Sequence, residues 1–331
     1  MALFWWSLQG SSRRQSAQRG FLFGLGLFGA GVSWLHVSIH VYGFTPLWLA
    51  IPMTALFAAG MALYPALLAW LWHRLGQHGL TFVALWVLLD WLRGWLLTGF
   101  PWLYGGYALV DTPLAALASL GGIWLLTLIT VASGVALAGL HQPMRHKAVL
   151  ALAASGWMVA LLWPGNHFTR PVGEPVKVAL AQGNIPQDIK WLTTQQQATR
   201  QIYRTLSEDA ADDSLVIWPE SAITEFYQDA LPFMLEQRDL LEARGMTLIA
   251  GVPWRTTGEQ DYRFYNSVSV VGTGSVYHKQ KLVPFGEYVP MQQLIRGLIP
   301  FFNLPMSSFS AGDPAQPNLQ AGELTIAPFI C

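Results

Sequence analysis

The stretch from Trp157 to Gly183, WMVALLWPGNHFTRPVGEPVKVALAQG, divides the chain into two parts of different composition. A long apolar run ends at Trp163, and Pro164 and Gly165 follow, a pair that does not continue a helix. Seven of the 19 Lys and Arg residues, two of the 19 Asp and Glu residues and 13 of the 16 Trp residues lie before this junction. The chain is therefore predicted to join an apolar half to a polar half.

The overall composition excludes an ordinary soluble protein. Of the 331 residues, 53% are hydrophobic and 11% are charged, and the mean hydropathy is +0.35, whereas soluble domains carry about 25% charged residues. The single cysteine excludes an internal disulfide framework. Residues Met1 to Gly20 do not match a signal peptide, because their arginines follow the short apolar run instead of preceding it.

The apolar half is predicted to be a bundle of about five membrane helices. A hydrocarbon core about 30 Å thick requires roughly 20 apolar residues in a helix. We therefore divide the chain into a cytoplasmic segment (1–20), a transmembrane bundle (21–163), a linker (164–175) and an extracytoplasmic domain (176–331). The predicted spans are Phe21 to Val41, Leu47 to Trp72, Leu80 to Leu97, Leu114 to Leu140 and Ala148 to Trp163.

The third predicted span contains two charged residues, Asp90 and Arg93. Residues three apart share one face of a helix, so an ion pair can offset part of the cost of burying either charge. Such a pair is either structural, near one membrane interface, or a contact for substrate. The sequence favours the structural interpretation.

The basic residues of the loops predict the orientation of the bundle. The segment before the first span and the loops after the second and fourth spans carry Lys or Arg, whereas the other two loops carry none. The positive-inside rule places the basic loops in the cytoplasm. Five spans that start inside leave everything after Trp163 outside.

The polar half alternates short strands with helices, which predicts an α/β layered domain. Catalytic groups in such domains lie at strand ends and in the loops that follow. The predicted helices are Thr193 to Ala210 and Asp229 to Arg244. The predicted strands are Val176 to Gln182, Ser214 to Trp218, Thr247 to Val252, Tyr265 to Val271 and Leu324 to Ile330.

Glu220 follows the apolar run Leu215 to Trp218 and Pro219. A carboxylate directly after a buried strand is expected to be poorly solvated, which suits a general base. The alternative is a Glu that caps the next helix.

Lys279 lies in the run Tyr277 to Glu287, which contains two lysines, Lys279 and Lys281, and then turns apolar. Two lysines so close in sequence usually mark a solvated edge. A Lys that is held in a pocket can instead stabilise an oxyanion.

Cys331 follows the apolar run Thr325 to Ile330. A Cys in this position is more often a small core residue than a nucleophile. Taken together with Glu220 and Lys279, however, it completes a set of base, cation and thiol, each at a predicted strand end. This set is typical of nucleophilic acyl transfer.

The same residues resemble the Glu-Lys-Cys triad of the nitrilase superfamily, in a four-layer α/β sandwich. With a membrane bundle in front, the chain resembles the apolipoprotein N-acyltransferase family from about Gly20 to Cys331. The segments that carry this resemblance are Trp218-Pro219-Glu220, Lys279 with Val283-Pro284-Phe285-Gly286-Glu287, the strand ending in Cys331, Arg93-Gly94-Trp95, Leu97 to Trp102 and Leu304 to Phe309.

The resemblance implies a phospholipid-dependent acyltransferase of the bacterial inner membrane, with its catalytic domain on the periplasmic side. The acyl donor would be a phospholipid, in particular phosphatidylethanolamine, attacked by Cys331 at its sn-1 ester. The acceptor would be the N-terminal diacylglyceryl-cysteine of an apolipoprotein. Glu220 would be the base, Lys279 the oxyanion donor, Glu287 an auxiliary carboxylate and Trp191 an aromatic near the substrate entrance. No metal, nucleotide or nucleic acid is implied.

Trp191 can equally be an ordinary packed residue at a helix start. The family also begins with two more membrane helices and continues past the nucleophile, so we expect this chain to be a fragment that is inactive by itself.

Two other functions are compatible with parts of the sequence. A membrane-tethered amidase could use the same triad on a small amide, although such an enzyme has little need of several spans. A membrane transporter or scaffold is the other alternative. It is disfavoured because the bundle offers one plausible buried charge pair and no series of proton-relay residues.

Overall fold

The structure is a computed structural model that describes residues 1–141, 143–163, 168–256, 262–284, 286–288 and 308–331. The chain separates into two compact units, Met1–Val172 and Gly173–Cys331. Each unit has its own buried apolar clusters. The change in composition near residue 165 therefore falls close to a structural division.

The first unit is helical. Its helices are α1 (Ala2–Leu8), α2 (Arg13–Gly31), α3 (Leu35–Val37), α4 (Leu47–Arg74), α5 (Gly79–Arg93), α6 (Ala118–Ala138) and α7 (Pro143–Leu162), with a π-helical turn over Ser38–Tyr42. Short 3-10 turns cover Leu96–Thr98, Gly105–Leu109 and Pro113–Leu117.

Helix α1 belongs to the core of this unit, whereas the sequence-based division begins the bundle at Phe21. Phe4, Trp5 and Leu8 are buried. The ring of Phe4 stacks on Phe23 with centroids 4.2 Å apart, and Trp5 meets Trp72 edge-on at 4.9 Å. Burial of these aromatic residues holds the first turns of the chain against the bundle.

Within the described part of the first unit, two helical segments are long and apolar enough to cross a membrane, Leu47–Arg74 and Pro113–Ala138. The pair Arg13–Gly31 and Leu35–Tyr42 would make a third if its 57° bend lies within one span, and Lys147–Leu162 is a shorter apolar helix. These segments correspond to four of the five predicted spans. The total of five spans remains a prediction.

The remaining predicted span, Leu80 to Leu97, is wrong at its C-terminal end, because α5 stops at Arg93. The chain turns back there through Gly99, which has a left-handed φ of +87°. A side chain would not fit at this position, because a Cβ would clash with the carbonyl oxygen of Gly94. The Phe100 amide donates to the carbonyl oxygen of Arg93 at 2.8 Å. Helix α5 is therefore too short to be a span by itself.

The predicted ion pair between Asp90 and Arg93 is confirmed, with Nη2 of Arg93 2.7 Å from Oδ1 of Asp90. The same guanidinium donates to the carbonyl oxygens of Phe100, at 2.9 Å, and of Trp102. It lies 4.6 Å from the ring centroid of Tyr104. The pair thus holds the chain that folds back after α5.

The second unit contains a mixed five-stranded sheet in the order β1-β2-β3-β4-β5. Strands β1, β2 and β3 pair in parallel, whereas β4 pairs antiparallel with both β3 and β5. The strands are β1 (Val178–Leu180), β2 (Leu215–Trp218), β3 (Thr247–Arg255), β4 (Phe264–Val270) and β5 (Val276–His278). A separate hairpin pairs β6 (Leu319–Ala321) with β7 (Leu324–Ile326).

The helices that accompany the sheet in the described residues of this unit are α8 (Gln187–Lys190), α9 (Gln196–Glu208) and α10 (Tyr227–Glu242), with a 3-10 turn over Thr193–Gln195. The two predicted helices and the first four predicted strands are confirmed within a few residues of their predicted ends. Gly245 follows α10 with a φ of +71°, as expected after a helix. Strands β5 and β6 were not predicted.

The last predicted strand, Leu324 to Ile330, is wrong in length. Strand β7 ends at Ile326, and residues 327–331 have no regular secondary structure. Pro328 has no N–H to donate to a strand ladder, which explains why pairing does not continue. Cys331 therefore lies five residues beyond the end of β7 and not at the end of a strand.

Candidate active site

Glu220 sits on a tight turn after β2. The amide of Ala222 donates to the carbonyl oxygens of Pro219, at 3.1 Å, and Gly251, at 2.9 Å. Ser221, which lies between Glu220 and Ala222, has a φ of +46°, which is unusual for a residue with a side chain. The turn presses on β3 at Gly251, where a Cβ would lie 2.3 Å from the carbonyl oxygen of Pro219. Gly251 therefore sets how closely the Glu220 turn approaches the sheet.

The expectation that Glu220 is poorly solvated is wrong, because 38% of its side chain is exposed. Because of this turn, the carboxylate of Glu220 lies beyond the end of β2, and it is not buried as the residues of β2 are. Glu220 can therefore exchange protons with a reacting group or with water.

Lys279 follows β5 and is buried, with 3% of its side chain exposed. Its amide donates to the carbonyl oxygen of Asn266 on β4 at 2.8 Å, which continues the strand pairing by one residue. Its ammonium lies 2.8 Å from Oε2 and 2.9 Å from Oε1 of Glu287, and 3.7 Å from Oε1 of Glu220. The ammonium also donates to the backbone carbonyl oxygen of Cys331. Lys279 is thus the centre of the cluster and not part of a solvated edge.

Glu287 is the second carboxylate on Lys279, and 12% of its side chain is exposed. Its Oε2 also accepts from the amide of Val283 at 2.8 Å. The cluster therefore sets one ammonium against two carboxylates, an excess of one negative charge when all three groups are ionised.

Asn266 completes the cluster and was missed in the sequence. Its side-chain Nδ2 donates to Oε1 of Glu220 at 2.5 Å and to Oε1 of Glu287 at 2.8 Å. Asn is disfavoured in strand interiors. An Asn within the β-rich run Tyr265 to Val271 was therefore a usable signal.

Cys331 is exposed and is the only cysteine of the chain. Its backbone carbonyl oxygen accepts a hydrogen bond from the Lys279 ammonium, which also contacts both carboxylates. Trp191 follows α8 and is half-buried. Its neighbour Lys190 donates to the carbonyl oxygen of Glu220 at 3.3 Å, and burial lowers the pKa of Lys190 while Glu220 opposes that shift. The end of α8 thus lies against the Glu220 turn.

The residues that the structure describes contain no group of three or more His, Cys, Asp or Glu side chains that could hold a metal ion. Two parts of the sequence motifs, Phe285 and Leu304 to Ser307, lie outside the described residues. The described cluster is therefore one of hydrogen-bond donors, carboxylates and a thiol.

Comparison with protein families gives two matches that together cover most of the chain. The model of the apolipoprotein N-acyltransferase N-terminal domain matches residues 1–136, and the model of the carbon-nitrogen hydrolase family matches residues 177–331. The junction between the apolar and polar halves lies in the interval between the two matches, residues 137–176.

Individual relatives match both halves at once. An apolipoprotein N-acyltransferase of Pseudomonas syringae pv. tomato is 42% identical over 344 residues, which include 100% of this chain and 68% of the relative. Those of Pseudomonas aeruginosa and Vibrio vulnificus are 42% and 37% identical, over 100% and 98% of this chain and 67% of each relative. With the apolar helices of its first unit, the chain is a membrane protein, and it belongs to the apolipoprotein N-acyltransferase family.

Proposed function

We propose that the native protein that contains this chain transfers a fatty acyl group from a phospholipid to the N-terminal amine of a diacylglyceryl apolipoprotein, through a thioester at Cys331. One observation carries the proposal: the buried Lys279 contacts Glu220, Glu287 and the backbone of Cys331 together. The relatives named apolipoprotein N-acyltransferase support lipoprotein N-acylation as the reaction.

In the first half-reaction, the thiol of Cys331 attacks the carbonyl carbon of a phospholipid ester. A free thiol has a pKa near 8.5, so only a few per cent is thiolate at pH 7. Glu220 accepts the thiol proton, and Lys279 stabilises the negative oxygen of the tetrahedral intermediate. One such donor contributes about 3 kcal/mol to transition-state stabilisation. The C–O bond then breaks, and the lysophospholipid alcohol leaves with the proton from Glu220.

In the second half-reaction, the α-amine of the lipoprotein cysteine attacks the thioester carbonyl. Glu220 accepts a proton from the amine, and Lys279 again stabilises the oxyanion. The C–S bond breaks, the thiol is protonated again, and the amide product leaves. The two half-reactions share one set of groups, which is the basis of a ping-pong scheme.

Glu287 and Trp191 have supporting roles in this proposal. Glu287 neutralises Lys279 and holds its ammonium by contacts of 2.8 and 2.9 Å. Trp191, at the end of α8, contributes an aromatic surface near the entrance for substrate. Its position one residue from Lys190, which contacts the Glu220 turn, supports this role.

The proposed location is the bacterial inner membrane, with the second unit on the periplasmic side. The support is the charge of the loops, because Arg13, Arg14, Arg19 and Arg74 flank the predicted spans on one side. Both proposed substrates are lipids that stay in the bilayer. A membrane anchor keeps the catalytic unit at the surface where they lie. Phosphatidylethanolamine is the proposed donor.

The test is an acylation assay with the native membrane protein, phosphatidylethanolamine that carries a labelled sn-1 chain, and a diacylglyceryl-cysteine peptide. The proposal predicts a labelled amide at the peptide N-terminus by mass spectrometry, and no product with Cys331→Ala. A labelled product from Cys331→Ala, or release of the label only as free fatty acid, would contradict it.

A hydrolytic amidase is the second candidate, favoured by the match of residues 177–331 to the carbon-nitrogen hydrolase family. This function predicts release of ammonia from small amides and no transfer to an amine. The same assay, with a panel of short aliphatic amides in place of the lipids, distinguishes the two.

A further inference from the structure

Among the described residues, the side-chain amide of Asn266 donates a hydrogen bond to each of the two carboxylates of the proposed active site. Asn266 lies on β4 and is 4% exposed. Its Nδ2 is 2.5 Å from Oε1 of Glu220 and 2.8 Å from Oε1 of Glu287. The two acceptors, Glu220 and Glu287, are 67 positions apart in sequence, and Asn266 on β4 bridges them.

The orientation of the Asn266 amide follows from charge. A carboxamide has two N–H donors and one carbonyl acceptor, and ionised carboxylates only accept. The reverse orientation would place the carbonyl oxygen against two negative oxygens. The amide nitrogen therefore faces the carboxylates, and the two N–H groups provide one hydrogen bond for each.

This arrangement leaves the other end of the amide unsatisfied. Oδ1 of Asn266 is buried and has no hydrogen-bond partner among the residues that the structure describes. A buried polar atom without a partner is costly, and such atoms are rare in native structures. An apolar residue of similar size would avoid that cost, so the amide at this position is explained by what its nitrogen does.

The two carboxylates differ in how many contacts they make. Glu287 uses both oxygens, since Oε1 accepts from Asn266 and Lys279, and Oε2 accepts from Val283 and lies against Lys279. Glu220 meets both Asn266 and Lys279 with the same oxygen, Oε1. Its other oxygen belongs to a side chain that is 38% exposed. Only one of the two carboxylates thus keeps an oxygen available for proton transfer.

We propose that Asn266 is a positioning residue, which anchors one oxygen of Glu220 so that the other oxygen is left to exchange the proton of the reacting thiol or amine. By its second N–H it holds Glu287 against Lys279. Asn266 thereby divides the roles of two chemically identical groups, one as a proton acceptor and one as a counterion. This inference rests on the proposed function, since it concerns the same thiol, base and cation.

The test compares Asn266→Asp and Asn266→Ser with Ser269→Ala in the native membrane protein. Ser269 is a matched control, because it is also buried and polar on β4 but donates to the carbonyl oxygen of Ser275 at 3.0 Å, away from the cluster. Asp replaces the donor amide by a third carboxylate of nearly the same shape. Ser is neutral and can donate to one carboxylate only.

Two readouts are measured. The first is the rate of labelled thioester formation from phosphatidylethanolamine, which should fall about 10- to 100-fold in both Asn266 variants, because misplacement of a catalytic group by about 1 Å has an effect of this size. The second is the pH dependence of Cys331 alkylation by iodoacetamide, which is unambiguous because the chain has one cysteine. The profile should move to higher pH in Asn266→Asp and stay in place in Asn266→Ser, since only Asp adds negative charge.

The outcomes separate this inference from the proposed function. Normal thioester formation by Asn266→Ser, or an unchanged alkylation profile in Asn266→Asp, would overturn the positioning role while the function stands. Absence of any thioester in the wild-type protein would overturn the function, and the alkylation profiles would still decide whether Asn266 sets the charge around the thiol. A purely structural role predicts a lower thermal midpoint in both variants, with thioester formation by the folded fraction as fast as in Ser269→Ala.

Discussion

The two units of the chain each bury a cation, and the two sites differ in how they satisfy it. Arg93 in the helical unit and Lys279 in the α/β unit are 2% and 3% exposed, and each has a carboxylate oxygen within 2.8 Å. By burial and pairing alone, the two sites look alike.

The Arg93 site is closed. Its guanidinium contacts one carboxylate, two backbone carbonyl oxygens and the ring faces of Phe28 and Tyr104, at 5.3 and 4.6 Å from their centroids. One positive charge meets one negative charge, and Asp90 is itself only 13% exposed. This arrangement suits a structural role, in which the pair holds the chain that follows α5.

The Lys279 site is open and has an excess of negative charge. Its ammonium faces two carboxylates, and one of them, Glu220, is 38% exposed. The comparison teaches that burial of a charge does not by itself mark a functional site. A second carboxylate, and one that is left accessible, distinguishes the candidate active site from the structural pair.

The largest expected effect is on catalysis at Lys279. Lys279→Met should lower the rate of acyl transfer by at least about 10²- to 10³-fold, because it removes the oxyanion donor. The rate is measured with labelled phosphatidylethanolamine. The exposed Lys281 is the matched control, and Lys281→Met should retain nearly the full rate. Equal rates in the two variants would show that Lys279 is not catalytic, and its site would then not differ in function from the Arg93 site.

The second effect is on stability at Arg93. Arg93→Met leaves the buried Asp90 unpaired, and such a change destabilises a protein by about 3–5 kcal/mol. The thermal midpoint in detergent should fall, and the double variant Asp90→Asn with Arg93→Met should recover part of the loss. The control is Arg74→Met at the exposed end of α4. An unchanged midpoint with a large loss of acyl transfer would instead make Arg93 a substrate contact.

The third effect is an intermediate one at Glu287. Glu287→Gln keeps the shape of the side chain but removes the charge that neutralises Lys279, and the rate of acyl transfer should fall about 10- to 100-fold. Glu323→Gln, on the exposed turn between β6 and β7, provides the control. A rate within twofold of wild type would show that the excess negative charge is not needed.

The smallest effect is on the pH dependence of stability through His278, which precedes Lys279. Burial lowers the pKa of His278 from its ordinary value of 6.5. The unfolded chain therefore binds the proton more readily than the folded chain, and stability is lost as pH falls below 6.5. The difference in thermal midpoint between pH 7.5 and 5.5 should be smaller in His278→Gln. An equal difference in the variant would assign that loss to other groups.

The difference between the two sites was only partly predictable from the sequence. Asp90 and Arg93 lie one helical turn apart, so local geometry was enough to pair them. Glu220 was recognised because it follows an apolar run, and Lys279 because its run turns apolar after two lysines. The exposure of Glu220 was not predictable, because it depends on the turn at Ser221 and on close contact with Gly251.

Asn266 and the short strands could not be placed from local pattern. The position of Asn266 follows from the antiparallel register that pairs it with Pro253 on β3, which brings β4 beside the Glu220 turn. Strands β5 and β6 have three residues each, too few to show a period of two. Strand β7 ends early because Pro328 cannot donate to a strand ladder. This effect of a proline could have been predicted from the sequence alone.

The most direct test of the account is the mass of the native membrane protein after incubation with phosphatidylethanolamine that carries a labelled sn-1 chain, without an acceptor peptide. The account predicts that one labelled acyl group accumulates on Cys331 of the wild type as a hydroxylamine-sensitive thioester. The same adduct should form in the folded fraction of Arg93→Lys, and it should be absent in Lys279→Met and Cys331→Ala. A wild-type protein without this adduct, or the same adduct in Lys279→Met, would contradict it.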